Sequence, residues 1–259
     1  NVTASTFEST VTFDVVDASD AAKRMPFYAP PQGRFADPGG LLSGWRSYSA
    51  LCADMRRRGD TSNERPACSS FYCPWVASND ATRKFDGKFR SEVPGHYGAL
   101  LAVLGGDFDP GNREAAAYLL AYSTSAKTVS EIMIKALQDP DREVRAAALT
   151  VLADMSGYRS NVFIEAFRIM PALDYPTVSD RSKALAVLAG LASRPEYQSY
   201  IISRASPQLV RLLRSLDPGL RDLAYTVLGM ASGKNYDRKD IAAWEAWSAG
   251  ASSGSAKPK

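Results

Sequence analysis

The chain has 259 residues, of which 45% are hydrophobic and 23% are charged, and its formal net charge is +3. These proportions are ordinary for a globular protein, and 31 basic against 28 acidic residues are too evenly balanced to indicate nucleic-acid binding from charge alone. The sequence contains no run of about 18 apolar residues and therefore predicts no transmembrane helix.

Residues 1–94 are predicted to form an irregular N-terminal region. Apolar and polar residues alternate between Phe7 and Val15, which predicts a β-strand. Prolines recur between positions 26 and 38, and because proline removes backbone donors, we expect this stretch to run along a surface. Apolar residues at three- and four-residue steps then predict a helix over residues 41–58.

Residues 59–94 are predicted to be a long irregular stretch whose aromatic content favours an ordered cap over disorder. Cys68 and Cys73 lie five positions apart in it and are a candidate disulfide if the protein is exported. The alternatives are that Cys52 pairs with one of them, or that all three thiols are reduced in the cytoplasm. A zinc site made of these cysteines and His96 would match no common spacing, so we expect no metal and no cofactor.

Four Ala- and Leu-rich segments recur in the second half of the chain, each beginning with an arginine. The arginines are Arg113, Arg145, Arg181 and Arg221. Their spacings are 32, 36 and 40 residues. A period of this length with two helices per unit is typical of a stacked helical solenoid, which we place over residues 95–249.

The residue four positions before each arginine is an aspartate in three units and a threonine in one. These residues are Asp109, Asp141, Thr177 and Asp217. Aspartate accepts hydrogen bonds from free amides at a helix start, so each is expected to open a first helix. Second helices are predicted over residues 128–137, 161–173 and 207–216, with residues 195–205 as an inserted turn. Trp244 and Trp247 are expected to seal the last unit, and residues 250–259 to be a disordered tail.

The unit DPDREVRAAALTVLADM at residues 139–155 resembles the first helix of a HEAT repeat, and the other three units keep its frame. The end GKNYDRKDIAAWEAW resembles the close of bacterial HEAT-containing proteins. The resemblance covers about residues 97–249 and implies a mainly α fold, an α-solenoid of about four HEAT-like repeats behind the partly β N-terminal region. It also implies a structural ladder between repeats, formed by Asp109, Arg113, Asp141, Arg145, Arg181, Asp217 and Arg221.

Catalytic motifs are missing from the sequence. His96 is the single histidine, no nucleophile signature surrounds it, and no glycine-rich phosphate loop is present. We therefore expect a non-catalytic scaffold that binds another protein, and not nucleic acid. The alternative is a HEAT-like enzyme, or a binder of nucleic acid or acidic ligands, that uses a basic strip at Arg204, Arg211 and Arg214.

In solenoids of this kind the second helices line the concave surface, and this resemblance gives the candidate binding face. Its residues are Lys127, Glu131, Lys135, Arg168, Arg204, Gln208, Arg211 and Arg214. The possible disulfide favours a periplasmic or extracellular location after removal of a signal peptide, with the cytoplasm as the alternative. The partner's identity and the oligomeric state do not follow from the sequence.

Overall fold

The computed structural model describes residues 15–61, 68, 70–159 and 162–253. The described part of the chain is 69% helical and contains eleven α-helices and no sheet. The helices are α1 (Ala21–Arg24), α2 (Leu41–Arg57), α3 (Asp80–Gly106), α4 (Pro110–Leu120), α5 (Ala126–Ala136), α6 (Arg142–Tyr158), α7 (Ala166–Ile169), α8 (Val178–Ala192), α9 (Pro195–Leu212), α10 (Pro218–Ser232) and α11 (Ile241–Ser253). Two 3₁₀ helices span Pro38–Gly40 and Met170–Asp174.

The partly β N-terminal region is not supported. The strand predicted from Phe7 to Val15 falls outside the described residues except for Val15, which is irregular and 81% exposed. Only two isolated β-bridges occur in the part of the chain that is described, joining Gly33 to Asp107 and Thr61 to Val76.

The helix predicted over residues 41–58 is confirmed by α2. Its start is fixed by Asp37, whose two carboxylate oxygens accept the amides of Leu42 at 2.8 Å and Ser43 at 3.0 Å. These bonds hold the pKa of Asp37 below its usual range against the opposing effect of its burial. Trp45 and Tyr48 lie on the buried face of the helix, which therefore faces the core.

The irregular stretch predicted up to residue 94 is wrong from Asp80 onward, because α3 begins there and runs to Gly106. Asn79 and Thr82 form a reciprocal capping box that starts the helix. Pro94 lies inside α3, on its exposed side. Its missing N–H removes a backbone bond, but the helix continues because Phe89 and Val93 are fully buried on the opposite side. The predicted boundary between residues 94 and 95 therefore falls within one helix.

The helices that carry the four Ala- and Leu-rich segments are α4, α6, α8 and α10, called here the repeat helices. They pack side by side in chain order, with α3 against α4 and α2 against both. Their equivalent small residues have no exposed surface: Ala116, Ala148, Ala184 and Ala224. Gly190 allows a still closer approach of α8 to α6, because a Cβ there would lie 2.8 Å from the backbone of Ser156.

Each repeat helix is followed by a second helix, and these second helices, α5, α7, α9 and α11, are called here the intervening helices. The helix predicted over residues 161–173 is instead the four-residue α7 followed by the 3₁₀ helix Met170–Asp174. The insertion predicted before residue 207 is part of one continuous helix, α9, which contains Pro207. Helix α11 continues to Ser253, so the predicted tail is helical over residues 250–253, and the rest of it lies outside the described residues.

The last unit is closed by aromatic packing. Trp244 on α11 has no exposed surface and meets the rings of Tyr225, Tyr236 and Trp247 edge-on at 5.1–6.0 Å between centroids. Such contacts add to the burial of apolar area. In the described part of the chain no helix combines the length and apolar character needed to cross a lipid bilayer.

Candidate functional site

Two buried ion pairs each join a repeat helix to the next unit, through Asp139 in the loop before α6 and Asp180 within α8. Arg113 of α4 donates from Nε and Nη2 to the two carboxylate oxygens of Asp139, both at 2.8 Å. Arg145 of α6 pairs in the same way with Asp180 of α8, with Nη2 2.8 Å from Oδ2. Both arginine side chains are 3% exposed and both carboxylates are fully buried. Two-pronged pairs of this kind fix orientation as well as charge.

The same arginines also bind the loop before their own helix. Nη1 of Arg113 donates to the carbonyl of Asp107 at 2.8 Å, and Nη1 of Arg145 donates to that of Asp139 at 2.9 Å. Arg221 repeats the contact with Ser215 at 2.8 Å, each time six residues back. The arginines therefore tie the loops between units together, and this set of contacts is called here the ladder.

The aspartates aligned by the sequence repeat are not the partners of the buried arginines. Asp109, Asp141 and Asp217 each accept backbone amides at the start of their own helix, and the hydroxyl of Thr177 does the same for the amide of Asp180. The carboxylates that meet the arginines are Asp139, two residues before a cap, and Asp180, three residues after one. The structure thus separates the capping acids from the ladder acids.

The N-terminal segment, residues 24–35, lies along the ladder and is called here the strap. Tyr28 donates from its hydroxyl to Asp139 at 2.6 Å and from its amide to the carbonyl of Gln138 at 2.9 Å. Burial, with the bond and charge of Asp139, raises the pKa of Tyr28. The ring of Phe27 covers the guanidinium of Arg145 at 4.0 Å and packs edge-on against Tyr175. The strap therefore shields both ion pairs from water.

The strap continues to the first unit. Gly33 exchanges backbone hydrogen bonds with Gly106 and Phe108, and a Cβ on Gly33 would lie only 2.6 Å from the carbonyl oxygen of Gly106. The amide of Phe35 donates to Asp107 at 3.3 Å. As the chain runs from residue 24 to residue 35, the strap therefore passes from the third unit back to the first.

A cleft of about 650 Å³ opens between α1, the start of the strap at Pro26, and the intervening helices. Its walls are mainly apolar: Ala22, Pro26, Ile134, Leu137, Phe167, Met170, Pro171 and Tyr175. Phe167 is 53% exposed there. Lys23, Lys135 and Arg168 add positive charge, and Asp174 is the one carboxylate among the described lining residues.

A smaller basic cavity of about 270 Å³ adjoins the cleft, and Lys23 and Asp174 line both. Its charged walls are Asp20, Lys23, Arg24, Asp174, Arg181 and Arg211. Arg181, which the resemblance assigns to the ladder, is half-buried and donates to the carbonyl of Pro176 at 3.4 Å. Among the described lining residues four are cations and two are carboxylates, and Arg211 is paired with Asp174.

The structure brings only part of the predicted binding face together. Lys135, Arg168 and Gln208 line the cleft, and Arg211 lines the basic cavity. Arg211 also pairs with Asp174. The remaining members lie apart from these cavities: Lys127, Glu131, Arg204 and Arg214. Lys127 lies 3.9 Å from Glu131, and Arg214 lies 2.6 Å from Glu245 in a separate hollow against α11. The sequence analysis did not predict that Lys23 and Phe167 belong to this face. Both side chains are exposed, and this exposure can be seen only in the structure.

The cysteine-containing loop packs against α6. Cys68 and Cys73 form a disulfide, and Cys52 is a buried free thiol. The amide of Cys73 donates to Asp154 at 2.8 Å. Burial raises the pKa of Asp154 to about 7, although the bonds from Cys73 and Trp75 and the charge of Lys183 act in the opposite direction.

The described ranges contain no group of three or more His, Cys, Asp and Glu side chains that could hold a metal ion. The disulfide also removes Cys68 and Cys73 from the alternative zinc set with His96.

Residues 98–168, from within α3 to α7, match a family model described as HEAT repeats. This segment is thus similar to HEAT repeats, and it contains both arginines of the buried ion pairs. No curated protein matched the chain.

Proposed function

We propose that this chain is a non-catalytic interaction protein, an α-solenoid of about four HEAT-like repeats that binds a partner protein through the face of α5, α7 and α9. The observation that carries the proposal is the cleft of about 650 Å³ on this face, where Phe167 is 53% exposed. An exposed large apolar side chain in a concave, mainly apolar cleft is typical of a binding site.

Two further observations support a solenoid scaffold. The repeat helices pack in chain order, each mainly on its neighbours, as in quasi-one-dimensional repeat proteins. HEAT repeats, which the central segment matches, are commonly protein-interaction motifs. The ladder and the strap stiffen the edge of the stack, so the cleft sits on a preorganised surface, and binding there requires little ordering.

The basic strip of the alternative function is less favoured. Arg211 pairs with Asp174 and Arg214 pairs with Glu245. Phosphate binding depends on cations that release counterions from nucleic acid, and arginines already matched by carboxylates do this poorly. Arg204 is exposed, but one cation does not form a strip.

The disulfide supports a periplasmic or extracellular location, because disulfides persist in oxidising compartments and are rare in the cytoplasm. A partner in the same compartment follows from this proposal.

Photo-crosslinking tests the proposal. A photoreactive amino acid is placed at position 167 of the full chain, and a control carries it at position 142, because Arg142 is 69% exposed outside the cleft. Extract from the source organism is irradiated under non-reducing conditions, and adducts are identified by mass spectrometry. We expect one protein to be captured from position 167 and not from position 142.

The captured protein is then purified, and its affinity is measured for matched variants. Phe167→Ser removes the apolar wall, whereas Phe163→Ser changes a phenylalanine that is 71% exposed but does not line the cleft. We expect Phe167→Ser to weaken binding about tenfold, in line with loss of an aromatic anchor, and Phe163→Ser to leave it unchanged. Equal affinities for both variants would reject this face as the binding surface.

A further inference from the structure

The last arginine of the repeat, Arg221, is anchored like the first one but has no carboxylate partner among the described residues. Its Nη1 donates to the carbonyls of Ser215 at 2.8 Å and Leu216 at 3.3 Å. Nη1 of Arg113 donates to the two equivalent carbonyls, also at 2.8 Å and 3.3 Å. Because a guanidinium is planar and rigid, the same anchoring presents the edge formed by Nε and Nη2, called here the fork. In Arg113 this fork binds Asp139.

The sequence after α10 explains why its fork has no acid. The two filled forks take their carboxylates from the start of the next repeat helix, Asp139 two residues before a cap and Asp180 three residues after one. The described helix after α10 is α11, which is capped by Asp240 through the amide of Ala243 at 3.0 Å. The equivalent positions there are Arg238 and Ala243. Neither carries a carboxylate, so the start of α11 does not complete the ladder.

The acids close to Arg221 in sequence serve other contacts. Asp217 accepts the amide of Leu220 at 2.9 Å as the cap of α10, and Asp222 lies 2.7 Å from Arg238. Helix α10 packs mainly on α8 and α9, and α11 packs mainly on α9, so the described helices include no repeat helix beyond α10. The guanidinium of Arg221 is nevertheless partly buried, and a partly buried cation without a carboxylate gains from one that arrives from outside.

An exposed apolar side chain lies next to the fork in sequence. Leu216, whose carbonyl anchors Arg221, is 79% exposed. The equivalent residue of the first unit is Phe108, which the strap covers: its amide donates to the carbonyl of Gly33 at 2.7 Å, and the guanidinium of Arg34 lies 4.5 Å from its ring centroid. The strap passes from the third unit to the first, so it gives Leu216 no such cover. An exposed apolar side chain beside an unfilled donor is typical of an interaction surface.

We propose that the C-terminal end of the ladder docks a partner protein that presents a carboxylate at the start of a helix. This carboxylate takes the place on Arg221 that Asp139 takes on Arg113, and an apolar side chain of the partner packs against Leu216. The partner thus adds one step to the ladder, with a two-pronged bond that fixes its orientation. Neither Arg221 nor Leu216 lines the cleft, so this surface is separate from the one in the proposed function, and either can fail without the other.

Nuclear magnetic resonance of the arginine Nε–H groups tests the inference on the full ¹⁵N-labelled chain. The probe is an unlabelled peptide with the sequence of residues 137–148, which contains the natural occupant of the Arg113 fork, Asp139. The control peptide has Asn or Gln at every acidic position. We expect the Nε–H signal of Arg221, identified by its loss in Arg221→Lys, to shift saturably with the acidic peptide at millimolar concentration and not with the control. No shift, an equal shift with the control, or a larger shift with inorganic phosphate overturns the inference.

Matched variants locate the peptide, whose affinity is measured by fluorescence anisotropy. Arg221→Lys keeps the charge but loses the fork, and we expect it to weaken binding about tenfold, whereas Arg204→Lys, at an exposed arginine of α9, should have no effect. Leu216→Glu adds a repelling charge at an exposed position and should also weaken binding, unlike Met230→Glu near the other end of α10, where Met230 is 39% exposed. Unchanged binding to Arg221→Lys overturns the inference. If that variant does not fold, unchanged binding to Leu216→Glu overturns it.

Discussion

Tyr28 donates a hydrogen bond of 2.6 Å from its phenol to Asp139, which lies 111 positions further along the chain. The same carboxylate oxygen accepts from Arg113. This contact makes the strap a part of the ladder, since a segment outside the repeats completes the hydrogen bonding of a fully buried carboxylate. Because the beginning of the strap also lines the cleft, the stability of the ladder and the shape of the binding surface are linked.

Removal of the Tyr28 hydroxyl should loosen the strap. We expect Tyr28→Phe to lower the free energy of unfolding by about 1–3 kcal/mol, the usual cost of losing a hydrogen bond to a charged group. Hydrogen exchange at the amides of residues 24–35 should accelerate. Chemical denaturation and exchange followed by mass spectrometry measure the two effects. Tyr200→Phe, at an exposed position of α9, is the control, and equal behaviour of the two variants would contradict a structural role for the strap.

The two aspartates of the second unit should differ sharply in their effects. Asp139→Ala leaves the buried charge of Arg113 without its partner, and we expect a loss of about 3–5 kcal/mol in the free energy of unfolding. Asp141→Ala removes only a helix cap and should cost about 1 kcal/mol. Urea denaturation of both variants distinguishes them. The opposite order would mean that the ladder acid is the aligned aspartate after all.

Much of the repeat region was predictable because its signals are local. The repeat helices are indicated by an arginine followed by small and aliphatic residues at helical spacing. The caps are indicated by Asp or Thr, whose side chains can accept the free amides at the start of a helix. The ladder acids were not predictable in this way. Asp139 and Asp141 stand two positions apart with similar local context, and in the next unit the carboxylate comes from Asp180, inside the helix, while Thr177 takes the capping position.

The N-terminal region was predicted less well because its order depends on long-range contacts. The start of α3 had a local signal in Asn79 and Thr82, but Pro94 obscured the helix that follows, and only burial of one face explains why it continues. The path of the strap depends on contacts such as that between Tyr28 and Asp139, which leave no local pattern. For the candidate binding face, the resemblance to repeat solenoids put Lys135 and Gln208 on one face, and both line the cleft, whereas ion pairing of Arg214 depends on the placement of α11.

The oxidation state of the cysteines can be tested by counting the free thiols. We expect one titratable thiol, from Cys52, in the denatured protein purified without reductant, and none in the native protein, because Cys52 is 2% exposed. Replacing Cys68 and Cys73 by serine should lower the free energy of unfolding by about 2 kcal/mol, the chain-entropy value for so short a loop. Alkylation with intact-mass measurement provides the count, and three thiols in the protein purified without reductant would argue for the cytoplasm.

Asp154 should make the protein less stable as pH rises towards neutrality. Its pKa is about 7 in the folded protein, mainly because of burial, against a usual value of 3.8. Between these values the folded state holds a proton that the unfolded state has lost, so the free energy of unfolding falls as pH rises from about 4 to about 7. The full difference between the two pKa values corresponds to at most about 4 kcal/mol in the free energy of unfolding.

The groups around Asp154 come from several elements, so the test has to isolate its carboxyl. Lys183 of α8 favours the charged form, Tyr118 of α4 and Tyr72 of the cysteine-containing loop interact with it, and the amide of Cys73 donates to it. Asp154→Asn keeps an oxygen that can accept from Cys73 and removes the titration. We expect urea denaturation at pH 5 and pH 8 to show a smaller loss of stability with rising pH in this variant than in the unmodified protein. Asp80→Asn, at a side chain that is 97% exposed, is the matched control and should retain the original slope; an unchanged slope in Asp154→Asn would assign the pH dependence to other groups.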